Sequence, residues 1–82
     1  MATPAQLRAA RHLAGLSQAD IAESTGLSLP TIKRAESERD VVISSDSIAA
    51  IRAALEKAGV IFVEENGEGP GVRLKKKKAK SK

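Results

Sequence analysis

The sequence predicts a mainly α fold: four short helices, then a short C-terminal β-hairpin and a disordered basic tail. Three observations carry that prediction. Up to Gly59, apolar residues recur at helical spacing in stretches that open on Ser or Thr, and three of the four stretches close on Gly. After Gly59 the period becomes extended, with β-branched and aromatic residues from Val60 to Val63 and turn residues at Asn66-Gly67 and Gly69-Pro70-Gly71. The terminal LKKKKAKSK is too charged and too poor in apolar groups to fold alone.

Each element has its own signals. The first helix is expected from Pro4 to Ala14, with Thr3 as N-cap, Pro4 in the first helical position and Gly15 as the stop; Leu7, Ala10 and Ala14 share one face. Ser17 caps the second helix by accepting from an amide that has no intrahelical partner, and Gly26 ends it. Ser28 caps the third, where Pro30 is tolerated because first-turn amides have no intrahelical bond to lose. Asp40 to Ser45 form a loop whose apolar centre, Val41 to Ile43, can pin it to the core. Ser44 or Ser45 opens the fourth helix, in which Ile48, Ile51 and Leu55 make a narrow apolar stripe. Val72 to Leu74 is the returning strand. A two-stranded hairpin is marginal alone. It is expected to be covered by the same hairpin of a second subunit, through Val60, Ile61, Phe62, Val63, Val72 and Leu74, or else to fold onto its own helices. The expected division is 1–58 helical domain, 59–74 hairpin and 75–82 tail.

The run Leu16 to Glu36, LSQADIAESTGLSLPTIKRAE, places each residue type where two helices joined by a tight turn need it. Counting from Gln18, Ala22 is fifth, where the helices cross closely and a larger side chain would push them apart. Gly26 is ninth, at a turn where a positive φ is cheap only without a Cβ. Ile21, Leu27, Ile32 and Ala35 put apolar groups on the inner faces, while Gln18, Lys33 and Arg34 are expected to point away.

This segment resembles the lambda-repressor-like, or XRE-type, helix-turn-helix transcriptional regulators over about residues 5 to 58. The match consists of Leu7-Arg8, Arg11, Gly15 to Gln18, Ile21-Ala22, Gly26, Thr31-Ile32 and Glu36. The resemblance implies a four-helix lambda-repressor-like domain that lays the start of its third helix in the major groove of duplex DNA. Leu29, Pro30, Thr31, Lys33 and Arg34 then stand nearest the bases. Arg34 is the strongest reader, since a guanidinium can bond both O6 and N7 of guanine, whereas Leu29 and Pro30 can only pack against thymine methyls. Ser17, Gln18, Ser28 and Arg39 fall to the phosphate backbone, with Gln18 resembling the family's phosphate clamp. Glu36 is expected to pair with Arg11 and fix the angle of the third helix. Glu38 stands where many relatives carry glycine and adds a charge that opposes DNA. Many relatives add a fifth helix where this chain has a hairpin.

Composition narrows the class. Eighty-two residues suffice for one domain that buries a modest share of its surface, so a dimer would add stability. The net charge of +4 is uneven: from Arg73 on there are seven basic residues and no acidic one, leaving seven basic against ten acidic in the first 72. DNA affinity must then come from a local patch, from the tail, or from both. No apolar stretch approaches a membrane span, no signal peptide is evident and there is no Cys, which together suit a cytoplasmic protein without cofactor or metal. Enzymatic chemistry is poorly supported: there is one His, no phosphate-cradling glycine loop, and the acids Glu64-Glu65 sit on an exposed hairpin. Two functions remain, a DNA-binding repressor acting as a symmetric dimer, and an antitoxin-type protein whose C-terminal strand pairs with a protein partner.

Overall fold

A computed structural model of the protein describes residues 2–39 and 42–75. Four helices, α1 (Pro4–Ala14), α2 (Gln18–Thr25), α3 (Leu29–Ala35) and α4 (Ser45–Lys57), precede two strands, β1 (Val60–Val63) and β2 (Gly71–Leu74). Every helix begins on a hydroxyl: Thr3, Ser17, Ser28 and Ser44 each accept from a backbone amide three residues on. In α1 and α2 the cap is reciprocal. Gln6 and Asp20 return a side-chain acceptor to the amides of Thr3 and Ser17, which satisfies a second end group at each terminus. Gly15 ends α1 in the left-handed region, at φ 72°.

The apolar stripes meet in one core. Leu7, Ile21, Ile32, Ile51 and Leu55, drawn from all four helices, are fully buried. In the loop before α4, Ile43 is half-buried against that core, but Val42 is 95% exposed, so the pin consists of Ile43 and not of the whole apolar triplet. Asp40 and Val41 lie outside the described residues.

The strands pair antiparallel, Val60 with Leu74, Ile61 with Arg73, Phe62 with Val72 and Val63 with Gly71. β2 packs on α1, and β1 on both α1 and α4. Alternation along β1 turns Val60 and Phe62 inward, where they are 3% and 8% exposed, and leaves Ile61 outward. Of the two coverings expected for the hairpin, the one on the chain's own helices is present. Val60 and Phe62 complete the core of their own chain, so neither side chain is available to a second subunit, and the hairpin is covered by α1 and α4. The reason is that α1 and α4 alone leave an apolar face open, and Val60 and Phe62 of β1 close it. Arg52 of α4 adds a lid, its guanidinium 4.8 Å from the centre of the Phe62 ring and paired with Glu56 and Glu64.

Gln6 ties the two parts together. It is buried, and its amide nitrogen donates to the carbonyls of both Val63 (3.2 Å) and Gly71 (2.9 Å), the partners at the turn end of the hairpin. At the other end, the Lys75 amide donates to the Gly59 carbonyl at 2.6 Å. Lys75 therefore extends the strand pairing instead of starting a tail. The expected tail residues 76–82 lie outside the described residues.

Candidate nucleic-acid interface

The helix-turn-helix unit is built from α2, the turn at Gly26 to Ser28, and α3. Gly26 sits at φ 77°, and a Cβ placed there would meet nothing within 4 Å, so backbone conformation and not crowding requires glycine. Thr25 supports the turn with a hydroxyl that donates to the Ile21 carbonyl (2.8 Å) and accepts from the Leu27 amide (3.2 Å). Ala22 and Leu27 are half-buried on the core, and Ile32 and Ala35 bury the inner side of α3 at 0% and 1% exposure. That burial fixes which side of α3 faces out.

The outward side carries Leu29, Pro30, Lys33 and Arg34, all exposed, with Thr31 half-buried at its margin. The Thr31 hydroxyl lies 2.8 Å from the Ser28 hydroxyl and 3.4 Å from Nη2 of Arg34. Both hydroxyls are thus engaged in the start of α3, Ser28 as its cap and Thr31 as a partner to its neighbours. The long contact to Thr31 lays the Arg34 guanidinium along the helix and holds it weakly. Arg39, just past α3, is exposed, and it flanks with Arg34 a shallow recess floored by Ala35, Ile43 and Ile48. Among the described residues none of Lys33, Arg34 and Arg39 is in an ion pair.

Behind this surface lies a buried ionic knot. Glu36, the C-cap of α3, is 4% exposed and accepts from Nε (2.7 Å) and Nη2 (3.0 Å) of Arg11 in a two-pronged pair. The remaining guanidinium nitrogen of Arg11 donates to the Leu16 carbonyl at 3.1 Å. Glu36 also accepts from Nε2 of Gln18 at 3.0 Å. Three helices therefore converge on one carboxylate. Its hydrogen bonds and charge raise the Arg11 pKa above its ordinary value, against the opposing effect of burial. Gln18 departs from the outward orientation expected of it: a buried carboxylate oxygen needs donors on every side, and the half-buried Gln18 supplies one. Ser17 remains at the α2 start, its hydroxyl and amide both engaged by Asp20 (3.0 and 2.8 Å). The bond from the Ser17 amide, more than the nearby Ser17 side chain, holds the Asp20 carboxyl below its usual pKa.

Two residues to which the sequence assigns no role of their own brace the elements around this site. Arg8, one helical turn before Arg11, donates to the Glu36 carbonyl (2.7 Å) and to the Glu38 carboxylate (2.9 Å), tying α1 to the segment after α3. Gln6 holds the hairpin to the same helix. The Thr-x-x-Gln spacing signalled the cap at Gln6, but nothing local signalled its reach across the chain. Among the described residues no group of three His, Asp or Glu can hold a metal ion, and no helix is long and apolar enough to cross a membrane.

Residues 5–60 match the helix-turn-helix domain family. The chain belongs to that family. It lies in the lambda-repressor-like, XRE-type group, so α2 and α3 form the kind of unit found in DNA-binding regulators, a class typically without catalytic activity. No curated protein matches the chain. The family match ends at the first residue of β1, so the rest of the hairpin lies beyond the matched domain of this helix-turn-helix protein.

Proposed function

We propose that the protein is a sequence-specific regulator that binds double-stranded DNA as a symmetric dimer on an inverted repeat, in the cytoplasm at the nucleoid, and that it acts as a repressor. The carrying observation is the outward side of α3: Leu29, Pro30, Lys33 and Arg34 are exposed on a helix whose inner side is fully buried and whose end is fixed by the knot at Glu36. In this reading Arg34 leaves its weak contact with Thr31 and pairs with a guanine, Lys33 meets a neighbouring base edge or phosphate, and Leu29 and Pro30 pack on thymine methyls. Thr31, Ser17, Gln18, Ser28 and Arg39 border the backbone phosphates. Occupancy of a promoter would then act by blocking polymerase.

The dimer contact falls to the outward side of the hairpin. Ile61 is 42% exposed on that side, Leu74 is 46% exposed at the open end of the hairpin beside Val60, and both outer edges of the two-stranded sheet carry backbone groups outside its own pairing. A second copy joined there would set two α3 helices one helical turn apart on DNA. The same edge and exposed Ile61 also suit strand addition by a different protein, the antitoxin-type reading.

Selection of bound duplexes from random sequence tests the proposal. An inverted repeat is expected, with Arg34→Ala relaxed at one base pair per half-site. Failure to retain any duplex would refute DNA binding. Sedimentation of wild type against Ile61→Lys separates the two hairpin readings. A dimer that the substitution splits supports self-association, and a wild type that stays monomeric while binding DNA points to a foreign strand.

A further inference from the structure

The outer contact between α1 and the end of α3 is built differently from the knot beside it. Arg8 spans two acceptors with two prongs: Nη1 is on the Glu36 carbonyl at 2.7 Å and Nη2 on the Glu38 carboxylate at 2.9 Å. The side chains are 41% and 65% exposed. Glu38 follows α3 by two residues and precedes Arg39, in the stretch that leaves the recognition helix at the flank of the groove. Chain segments at the end of a recognition helix meet the phosphate backbone. A carboxylate there opposes DNA, yet here it is held on a guanidinium with the hydrogen-bond geometry a phosphate oxygen would adopt.

We propose that Arg8 is a phosphate-binding residue of this interface and that Glu38 is its internal competitor, an anion that occupies the guanidinium until DNA displaces it. The inference rests on α3 being the DNA-reading helix. The prong on the Glu36 carbonyl does not involve Glu38, so it keeps Arg8 positioned at the end of α3 after Glu38 leaves. The pair then sets affinity without touching a base: every duplex is weakened alike, and discrimination among bases is left to α3. It also accounts for an acidic residue on a surface otherwise marked by Lys33, Arg34 and Arg39.

Titration of the full-length protein and its variants with a mixed-sequence duplex, over a series of salt concentrations, tests this. Glu38→Gln should bind roughly threefold more tightly near physiological salt with the slope of log affinity against log salt unchanged, because Arg8 reaches the phosphate in both proteins. Arg8→Met should flatten that slope by about 0.9, the release expected for one lost phosphate contact. In an Arg8→Met background the same Glu38 change should give a much smaller gain and no change of slope. A gain equal or larger without Arg8 would mean that Glu38 acts only by general repulsion, and the proposal falls. If Arg8→Met does not fold, as judged by circular dichroism, Arg8→Gln retains a donor for the Glu36 carbonyl and completes the cycle. Wild type that binds no duplex at any salt overturns the DNA-binding reading and this inference with it. Wild type that binds while Glu38→Gln shows no gain overturns this inference alone.

Discussion

The seam between α1 and the end of α3 is closed twice, one helical turn apart, by the same kind of bond in different surroundings. At the inner position Arg11 and Glu36 are 12% and 4% exposed, and Gln18 and the Leu16 carbonyl take up further hydrogen-bonding capacity. At the outer position Arg8 and Glu38 are 41% and 65% exposed, with water reaching both. Bond lengths of 2.7 and 2.9 Å hardly distinguish them. Solvent does: a buried charge that loses its partner is stranded, whereas an exposed one is rehydrated. The inner pair is therefore suited to fixing the angle of α3, and the outer pair to exchanging partners.

The largest effect that tests this contrast is loss of the Glu36 charge. Glu36→Gln should destabilise the fold by roughly 3–5 kcal/mol in urea unfolding, because it leaves the Arg11 guanidinium buried without a counter-charge. A cost no greater than that of Glu38→Gln would erase the distinction between the two positions. Next comes Gln6, which is buried like the knot but uncharged. Gln6→Ala should cost about 1–3 kcal/mol, since the carbonyls of Val63 and Gly71 and the Thr3 amide each lose a partner. Hydrogen exchange should show the hairpin opening before the helices, and uniform loosening of all elements would place the role of Gln6 elsewhere.

The outward side of α3 should behave oppositely to the knot, trading specificity and not stability. Arg34→Ala is expected to leave the unfolding midpoint nearly unchanged while losing roughly 1–3 kcal/mol of discrimination at one base pair per half-site. Equal discrimination by wild type and variant would remove Arg34 as a reader. At the outer seam, a double-mutant cycle on unfolding should give Arg8 and Glu38 a coupling of about 0–1 kcal/mol that fades with salt. A larger, salt-insensitive value would make that pair a second knot.

These expectations also show what the sequence made legible. Helix boundaries were readable because their causes are local: a hydroxyl three residues before a bare amide, a proline in a first turn, a glycine where φ turns positive. Gly26 and Ala22 revealed the turn and the crossing for the same reason. Long-range pairing was legible only through the family pattern, which supplied Arg11 with Glu36. Nothing in the pattern supplied Gln18 as their third partner, since a polar residue in a first turn reads as solvated until the carboxylate it serves is seen to be buried. The hairpin was visible from Val60 to Val63, but its covering was not. Alternation says that Val60 and Phe62 share a side, and only the position of α1 and α4 says that this side is already occupied. The reach of Gln6 to the hairpin and of Arg8 to the Glu36 carbonyl was hidden because main-chain carbonyls carry no sequence signature.

The smallest expected effect concerns the start of α2, where a third carboxylate shows that exposure does not abolish a specific bond. The Asp20 carboxylate accepts from the Ser17 amide while the Asp20 amide donates to the Ser17 hydroxyl, and its pKa is lowered chiefly by the bond from the Ser17 backbone. A group whose pKa is depressed on folding stabilises the fold above its unfolded value, near 3.9 for aspartate, and loses that contribution as pH falls through the lower folded value. Asp20→Asn keeps an acceptor without the charge. The difference in thermal midpoint between wild type and variant should therefore be constant above about pH 5 and shrink as acid protonates Asp20. A difference that stayed flat down to pH 2 would mean that the cap is held by geometry alone.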